Sequence, residues 1–424
     1  MLVSELELPA FDYTDAALRG ERFHAAMAEL REHGWLAQGP YGYMVLDRES
    51  AEFFLRTRSA TFPGMKIAEI FGVSEGPLYE QMRRNILHVN GPDHSRLRSL
   101  INPALSPRAV GRYAPAMRTF LEELLEQAVA ASQVGRDRRA RCEFVDAFAK
   151  PYPSQVIATV MGAPVSDAPR LHHWSNWIQR QFDAASMASE RDLIERAVAE
   201  FYEYAEELLR VRREDPRDDL LSMLIEAEEA GERLSDVECI NLVFNVLAGG
   251  VDTTQSQFAH AVRLLAEHPD QWAQLVEDPS LADAAVYEAL RFEPITPFTA
   301  RITTEQVVYR DVTFPPDTIV MVCAFTGNRD LPSEDDAPVD PAEAERFDIV
   351  AAARRPAGAR ARVLTFGAGV HYCVGANLAR LELREALTFL SQRVRDLRLD
   401  GEPEFESITG IYGLSQLPVS FSLA

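Results

Sequence analysis

The residue most suggestive of chemistry is Cys373, set in Phe366-Gly367-Ala368-Gly369-Val370-His371-Tyr372-Cys373-Val374-Gly375 and followed by Ala376-Asn377-Leu378-Ala379-Arg380-Leu381-Glu382. Three glycines let backbone come close to a flat ligand, and the cysteine falls just before a helical pattern running from Leu378 to Leu390. At a helix N-terminus, aligned peptide dipoles and free N–H groups stabilise a thiolate over a thiol, and a thiolate can ligate iron. An isolated intracellular cysteine is more often a small buried hydrophobe. The glycine frame weighs against that reading here.

A second constellation is Leu247-Ala248-Gly249-Gly250-Val251-Asp252-Thr253-Thr254. Two glycines inside a helix cost roughly 1 kcal/mol each relative to alanine, so their presence predicts a close approach by a ligand. Residues four apart share a helix face, which puts Asn245, Gly249 and Thr253 on one stripe with Ala248 beside it. A gap then opens under the Thr253 hydroxyl into which dioxygen fits. The plain alternative is a helix kinked at a glycine pair, with Thr253 bonding back to a carbonyl. Elsewhere, Gly91-Pro92-Asp93-His94-Ser95-Arg96-Leu97-Arg98 starts a helix with proline in its first turn and sets His94 and Arg98 on one face. Two cations so aligned suit a dicarboxylate, against the simpler reading of a solvated basic patch. Glu288 and Arg291 form an i,i+3 pair, usually a surface salt bridge worth under ~1 kcal/mol, but this one precedes the turn Pro294-Ile295-Thr296-Pro297 and is echoed by Glu345-Arg346-Phe347.

The elements that must hold these residues read as mainly α. Helices are predicted from Ala114 to Ser132, from Asp192 to Arg213, and after Leu234, where Ser235 and Glu238 make a capping box. Strand patterns are confined to Tyr41–Leu46, Ala300–Tyr309, Ile319–Ala324 and Leu417–Phe421, enough for a small accessory sheet. The Pro- and acid-rich stretch Leu331–Glu345 reads as an irregular meander rather than a linker, because motifs lie on both sides of it, so residues 1–424 are taken as a single domain. The chain has 424 residues, 47% hydrophobic, and a formal charge of −22. That charge argues against nucleic acid and anionic membranes as partners. Four scattered cysteines, with no C-x-x-C pair, suggest neither a disulfide framework nor a zinc site, and fit a reducing cytoplasm. The N-terminus lacks a signal-peptide pattern, and no apolar run approaches 18 residues, so no membrane span is expected.

The cysteine loop resembles the haem-binding loop of the cytochrome P-450 family, in its bacterial form F-G-x-G-x-H-x-C-x-G-x-x-L-A-R, and every fixed position matches. The resemblance implies that Cys373 is the proximal ligand of a haem b iron, that His371 contacts a haem propionate, and that Phe366 packs beside the sulfur, with Gly367 and Gly375 shaping the loop. Leu247–Thr254 is similar to the family's oxygen-binding signature G-x-D-T. This implies that Asp252 and Thr253 are the catalytic acid and alcohol that deliver protons, with Ala248 and Gly249 against the haem. By the same resemblance His94, Arg98 and Arg301 serve the propionates, and Glu288, Arg291 and Arg346 form a buried structural lock. One departure is Asn90-Gly91-Pro92, where the family often has aspartate before Pro-Pro. The likeness runs from about Trp35 to Val419 and implies a helical triangular prism with the haem between the oxygen-binding helix and the cysteine helix.

The function so implied is that of a monooxygenase inserting one oxygen atom from O2 into a medium-sized, largely apolar small molecule with a polar handle. Substrate contacts are expected at Phe71, Leu78, Asn245, Ala248, Thr296, Phe298, Ile411 and Tyr412. Trp174, Trp177 and Phe182 either cap this pocket or are plain core. No flavin, nicotinamide or ferredoxin-type motif is present, so a separate ferredoxin and ferredoxin reductase are expected as electron donors. Arg354, Arg355, Arg360 and Arg362 offer them a basic docking patch, unless these arginines simply pair with nearby carboxylates. A monomer is expected. The rival readings are a peroxygenase or nitric-oxide-reducing branch, against which the Asp252-Thr253 pair counts, and a non-catalytic haem sensor.

Overall fold

The computed structural model describes residues 1–132, 139–229, 234–330, 341–355, 358 and 363–424. The helices that build the site are α1 (Gly20–Glu32), α2 (Gly76–Arg84), α3 (Gly91–Ile101), α4 (Ala114–Ala131), α5 (Pro151–Met161), α6 (Ala168–Gln179), α7 (Arg191–Glu214), α8 (Asp236–Gly250), α9 (Asp252–Glu267), α10 (Ala282–Phe292) and α11 (Ala376–Arg393). Apolar periodicity locates α4, α7 and α11 to within a few residues. The expected capping box starts α8: Ser235 N donates to Glu238 Oε2 at 2.9 Å, and Glu238 N donates to Ser235 Oγ at 3.3 Å. What the pattern reads as one helix is two, α8 and α9, meeting at Val251, whose ψ of −73° departs from the helical value.

Strands β1 (Leu36–Gly39), β2 (Gly42–Val45), β3 (Ala60–Thr61), β4 (Phe298–Thr303) and β5 (Ile319–Cys323) form one sheet in the order β1-β2-β5-β4-β3, antiparallel except for β2 beside β5. The alternating stretch Ala300–Tyr309 is therefore not one strand. It stops at Thr303 and resumes in a separate hairpin, Val307–Tyr309 with Val312–Phe314. The predicted tail strand is Pro418–Leu423, flanked by Ala140–Glu143 and Val394–Leu399, two strands that the pattern does not reveal. Most of Leu331–Glu345 lies outside the described residues, and Pro341–Ala344 is a helical turn.

Buried apolar side chains from Ala68 to Phe421 form one contiguous cluster, with two smaller clusters beside the five-stranded sheet. Trp174 belongs to the large cluster: it is 2% exposed, packs on Phe201 at 5.8 Å, and its indole N–H donates to Glu200. For Trp174 the plain-core reading is the correct one. Helices α9 and α11 pack against each other, which brings the Asp252 segment and the Cys373 segment to the same region of the core.

Candidate active site

Cys373 sits two residues before Gly375, the residue that opens α11, and its N–H donates to the Phe366 carbonyl at 2.9 Å, closing the loop on itself. Gly367 and Gly369 hold φ of +67° and +71°, a region that glycine adopts without strain. At Gly369 a Cβ would lie 2.4 Å from the Leu55 carbonyl oxygen, so this glycine lets the loop press on the neighbouring helix Arg48–Arg56. Phe366 packs against the Arg380 guanidinium at 4.7 Å. Burial pushes the Cys373 thiol up, against the Gly375 N–H, Arg98, Arg380 and the Ala376 N–H, which pull it down. The helix N-terminus thus acts in the expected sense but does not outweigh desolvation. A metal cation is the charge that would. Among the described residues no group of three His, Cys, Asp or Glu side chains could hold a metal, and an iron on Cys373 would fit with its remaining ligands supplied by a non-protein group.

Beside this loop the structure gathers four basic groups from three distant segments. His94 and Arg98 lie on α3, Arg301 on β4, and His371 in the cysteine loop. The His94 and His371 ring centroids are 4.3 Å apart, and the Arg98 guanidinium donates to the Tyr372 carbonyl. His94 and Arg301 are each 4% exposed. The hydrogen bond given to Arg301 is to its own neighbour, the Ala300 carbonyl, at 2.8 Å. Among the described residues no ion pair joins Arg98 or Arg301 to a carboxylate. The electrostatics follow: burial pushes Arg301 down to about 10, burial and then His94, Arg301 and Arg98 push His371 down to about 3, and burial followed by Arg98 lowers His94. Buried cations without counter-charges are costly, and they mark a place built for an anion. A planar group with two carboxylates and a central iron, a haem, fits these residues and Cys373 together.

The glycine pair has two separate explanations. A Cβ on Gly250 would lie 2.3 Å from Ile157 Cδ1 and 3.0 Å from its Cγ1, so a side chain there would have to displace Ile157 where α8 packs on α5. A Cβ on Gly249 would meet no atom within 4 Å, so Gly249 is the one that leaves room for a ligand. The Thr253 hydroxyl donates to the Gly249 carbonyl, the back-bond of the plain reading. Asn245 Nδ2 donates to the Asn241 carbonyl at 2.6 Å, and Gln179 Nε2 of α6 to the Ala248 carbonyl. Asp252 is 5% exposed. Burial, then Glu406, push its carboxyl up to about 8 against the pull of Arg180 and Ser175. At neutral pH it therefore holds a proton.

Several expected roles change. Arg291 makes two bonds to Glu288, at 2.7 and 2.8 Å, and donates to the Ala344 and Arg346 carbonyls, both at 2.7 Å. Arg346 thus contributes its backbone, and its exposed guanidinium turns to the Ala342 carbonyl, outside the lock. Phe298 and Tyr412 are aromatic core: Phe298 packs on Tyr13 at 5.5 Å, and Tyr412 on Phe405 at 5.9 Å, with the Tyr412 hydroxyl accepting from Gly20 N. Both side chains are committed there. Phe71, Thr296 and Ile411 are half-buried and Leu78 fully buried. Arg354 is exposed, Arg355 pairs with Glu343 at 2.8 Å, and Arg360 and Arg362 lie outside the described residues. Residues that sequence reasoning missed include His172, Ser175 and Arg180 around Asp252, and the buried Gln81, His88 and Glu382, whose side-chain polar atoms have no partner. Nothing in local spacing signals them.

Comparison with known proteins agrees with this geometry. The cytochrome P-450 family model matches residues 19–397, and the chain belongs to that family. It is 31% identical to luteothin monooxygenase of Streptomyces thioluteus, over 99% of this chain and 97% of that one. It is also 31% identical to erythromycin C-12 hydroxylase of Saccharopolyspora erythraea, over 93% of each. Among solved structures, CalO2 superposes with a TM-score of 0.86 at 30% identity, covering 98% of this chain and 99% of that one. The fold is the helical prism with a small β region that the resemblance implied, and the enzyme is a haem-iron monooxygenase needing substrate, O2 and redox partners.

Proposed function

We propose that the enzyme binds haem b, whose iron Cys373 would hold, and inserts one atom of O2 into a medium-sized, largely apolar small molecule with a polar handle. The observation that carries this reading is the set of four basic groups without carboxylates beside the Cys373 loop, His94 and Arg301 buried and Arg98 and His371 half-buried. Haem iron, when bound, supplies the oxygen-activating redox chemistry. The chain's own residues do the rest. His94, Arg98, Arg301 and His371 receive the two carboxylates. Gly249 gives clearance beside Thr253. Asp252 holds a proton at neutral pH, and Thr253, one residue on, can release its back-bond to pass that proton on. Phe71, Leu78, Asn245, Ala248, Thr296 and Ile411 are the side chains we assign to substrate, and the whole chain acts as one catalytic unit. Electrons come from a ferredoxin and its reductase, and Arg354 is the described arginine free to dock them. The enzyme works in the cytoplasm. Among the described residues no helix is long and apolar enough to cross a membrane.

The test is a carbon monoxide difference spectrum of the reduced protein. The thiolate-type band is expected in the wild type and lost in Cys373→Ser; retention of an identical spectrum would sink the assignment. Turnover supported by hydrogen peroxide as well as by the reductase chain would instead favour the peroxygenase reading. Absence of substrate-dependent product with reducing equivalents consumed would favour a sensor.

A further inference from the structure

Around Asp252 the structure assembles titratable groups that neither the Cys373 loop nor the basic cluster requires. The Asp252 side chain is 7% exposed, and its Oδ1 has no hydrogen-bond partner. From α6, His172 brings Nε2 to 4.0 Å from that oxygen while its own side chain is 22% exposed. The same Nε2 lies 2.8 Å from Oε1 of Gln255, which follows Asp252 on α9. An amide oxygen only accepts, so Nε2 carries the proton. Nδ1 has no protein partner among the described residues and meets solvent. The imidazole therefore touches water on one side and stands next to a dry carboxyl on the other. Arg180 and Glu406 face Asp252, and Lys150, His173 and Asp146 face His172. Burial, then Lys150 and His173, outweigh Gln255 and Asp146 and lower His172, so the ring is neutral near pH 7. Burial also raises the Glu406 carboxyl, and this second acid opposes charge on Asp252.

We propose that His172 is the entry point through which solvent protons reach the Asp252 carboxyl. When Asp252 gives its proton toward Thr253 it becomes a carboxylate. His172 then turns its Nε2–H from Gln255 Oε1 to Asp252 Oδ1 and donates that proton, while Nδ1 takes one from water. The ring then swings out to solvent, where Nδ1 releases a proton and Nε2 takes one, and swings back in its starting tautomer. The sum is one proton moved from solvent to Asp252, with the ring neutral before and after. His172 is thus a positioning and proton-conducting residue acting through Asp252, and the inference rests on the assignment of Asp252 as proton donor.

The experiment follows the Asp252 carboxyl band by infrared spectroscopy in the haem-loaded enzyme, assigned by its loss in Asp252→Asn. The readouts are the pH at which the band disappears and the rate of its isotope shift on transfer to D2O. His172→Phe should slow the exchange at least tenfold and move the titration to higher pH, because the carboxylate loses its nearest donor. His172→Gln keeps a hydrogen-bonding group but cannot conduct, so it should also slow exchange, and it serves as the second variant if the phenylalanine perturbs folding. Both should lower product formed per electron consumed. Exchange and titration equal to wild type in both variants would overturn the proposal. If Asp252→Asn leaves product per electron unchanged, the role of Asp252 itself fails. If Asp252→Asn lowers it and the His172 variants do not, only the entry point fails.

Discussion

Replacing Glu293 by glutamine should destabilise the fold by about 3 kcal/mol at neutral pH and remove a specific part of its acid sensitivity. Glu293 follows α10 and its side chain is 1% exposed. It accepts from Arg263 Nη2 at 2.7 Å and lies 3.0 Å from His24 Nε2, while its carbonyl accepts from Gln257 at 3.2 Å. Burial pushes the carboxyl up, but His24, Arg263 and His260 pull it further down, from 4.5 to about 2. That difference corresponds to about 3 kcal/mol favouring the ionised folded state. An independent expectation agrees, since leaving one partner of a buried ion pair alone costs about 3–5 kcal/mol. The pKa is depressed in the folded state, so this stability is fully present above pH 4.5 and is lost as pH falls through about 2. At ~2.1 cal/mol/K per residue, a chain this long loses about 3 °C of thermal midpoint for 3 kcal/mol. The assay is thermal unfolding of wild type and Glu293→Gln by far-ultraviolet circular dichroism between pH 7 and pH 2. The variant should melt about 3 °C lower at pH 7, and the difference should close toward pH 2. Glu267→Gln, which removes the more exposed partner of Arg263, should cost well under ~1 kcal/mol. A Glu293→Gln midpoint within 1 °C of wild type, with an unchanged acid profile, would refute the reasoning.

Five other outcomes are expected. Arg301→Gln should weaken haem retention about ten- to a hundredfold, read as Soret absorbance per polypeptide during dilution, because a charge-assisted contact is worth about 1.5–3 kcal/mol. Gly250→Ala should destabilise the protein by about 1–3 kcal/mol through collision with Ile157 Cδ1, and Ile157→Val, which deletes that atom, should restore stability. Gly249→Ala should fold without such a penalty yet perturb the haem spectrum; unfolding data and Soret position separate the two. Product formed per electron should fall as pH rises through about 8, where Asp252 gives up its proton, and Asp252→Asn should be low and flat across that range. Arg354→Glu should slow electron transfer from an acidic ferredoxin and flatten its dependence on salt, as stopped-flow reduction at two ionic strengths would reveal.

Much of the site was legible because its chemistry is written in local spacing. Cys373 among three glycines, Gly249 ahead of Asp252 and Thr253, and His94 four residues before Arg98 are all patterns that one loop or one helix turn imposes. Long helices were legible from apolar period and from the Ser235–Glu238 cap. Edge strands such as Ala140–Glu143 were not, because four residues carry too little pattern and their pairing with Pro418–Leu423 is set by the tertiary fold. Phe298 and Tyr412 were misplaced for a related reason. Sequence puts them in the right segments but does not say which way each side chain faces, and the aromatic cluster with Tyr13, Phe23 and Phe405 claimed them. Arg346 was assigned to the lock by its type, whereas the fold uses its carbonyl.

The sequence by itself determined the motifs, since residue type and helix-face spacing are local properties, and through them the resemblance that assigns Cys373, the basic residues and the Asp252-Thr253 pair their expected roles. Tertiary structure alone decided the charge states. Burial pushes the Cys373 thiol up against the pull of its helix N-terminus, which leaves a bound cation to favour the thiolate, and Asp252 keeps its proton because folding buries it beside Glu406. Desolvation and Coulomb terms depend on what lies within a few ångströms in space. For His172 and Asp252, that neighbour is far away along the chain.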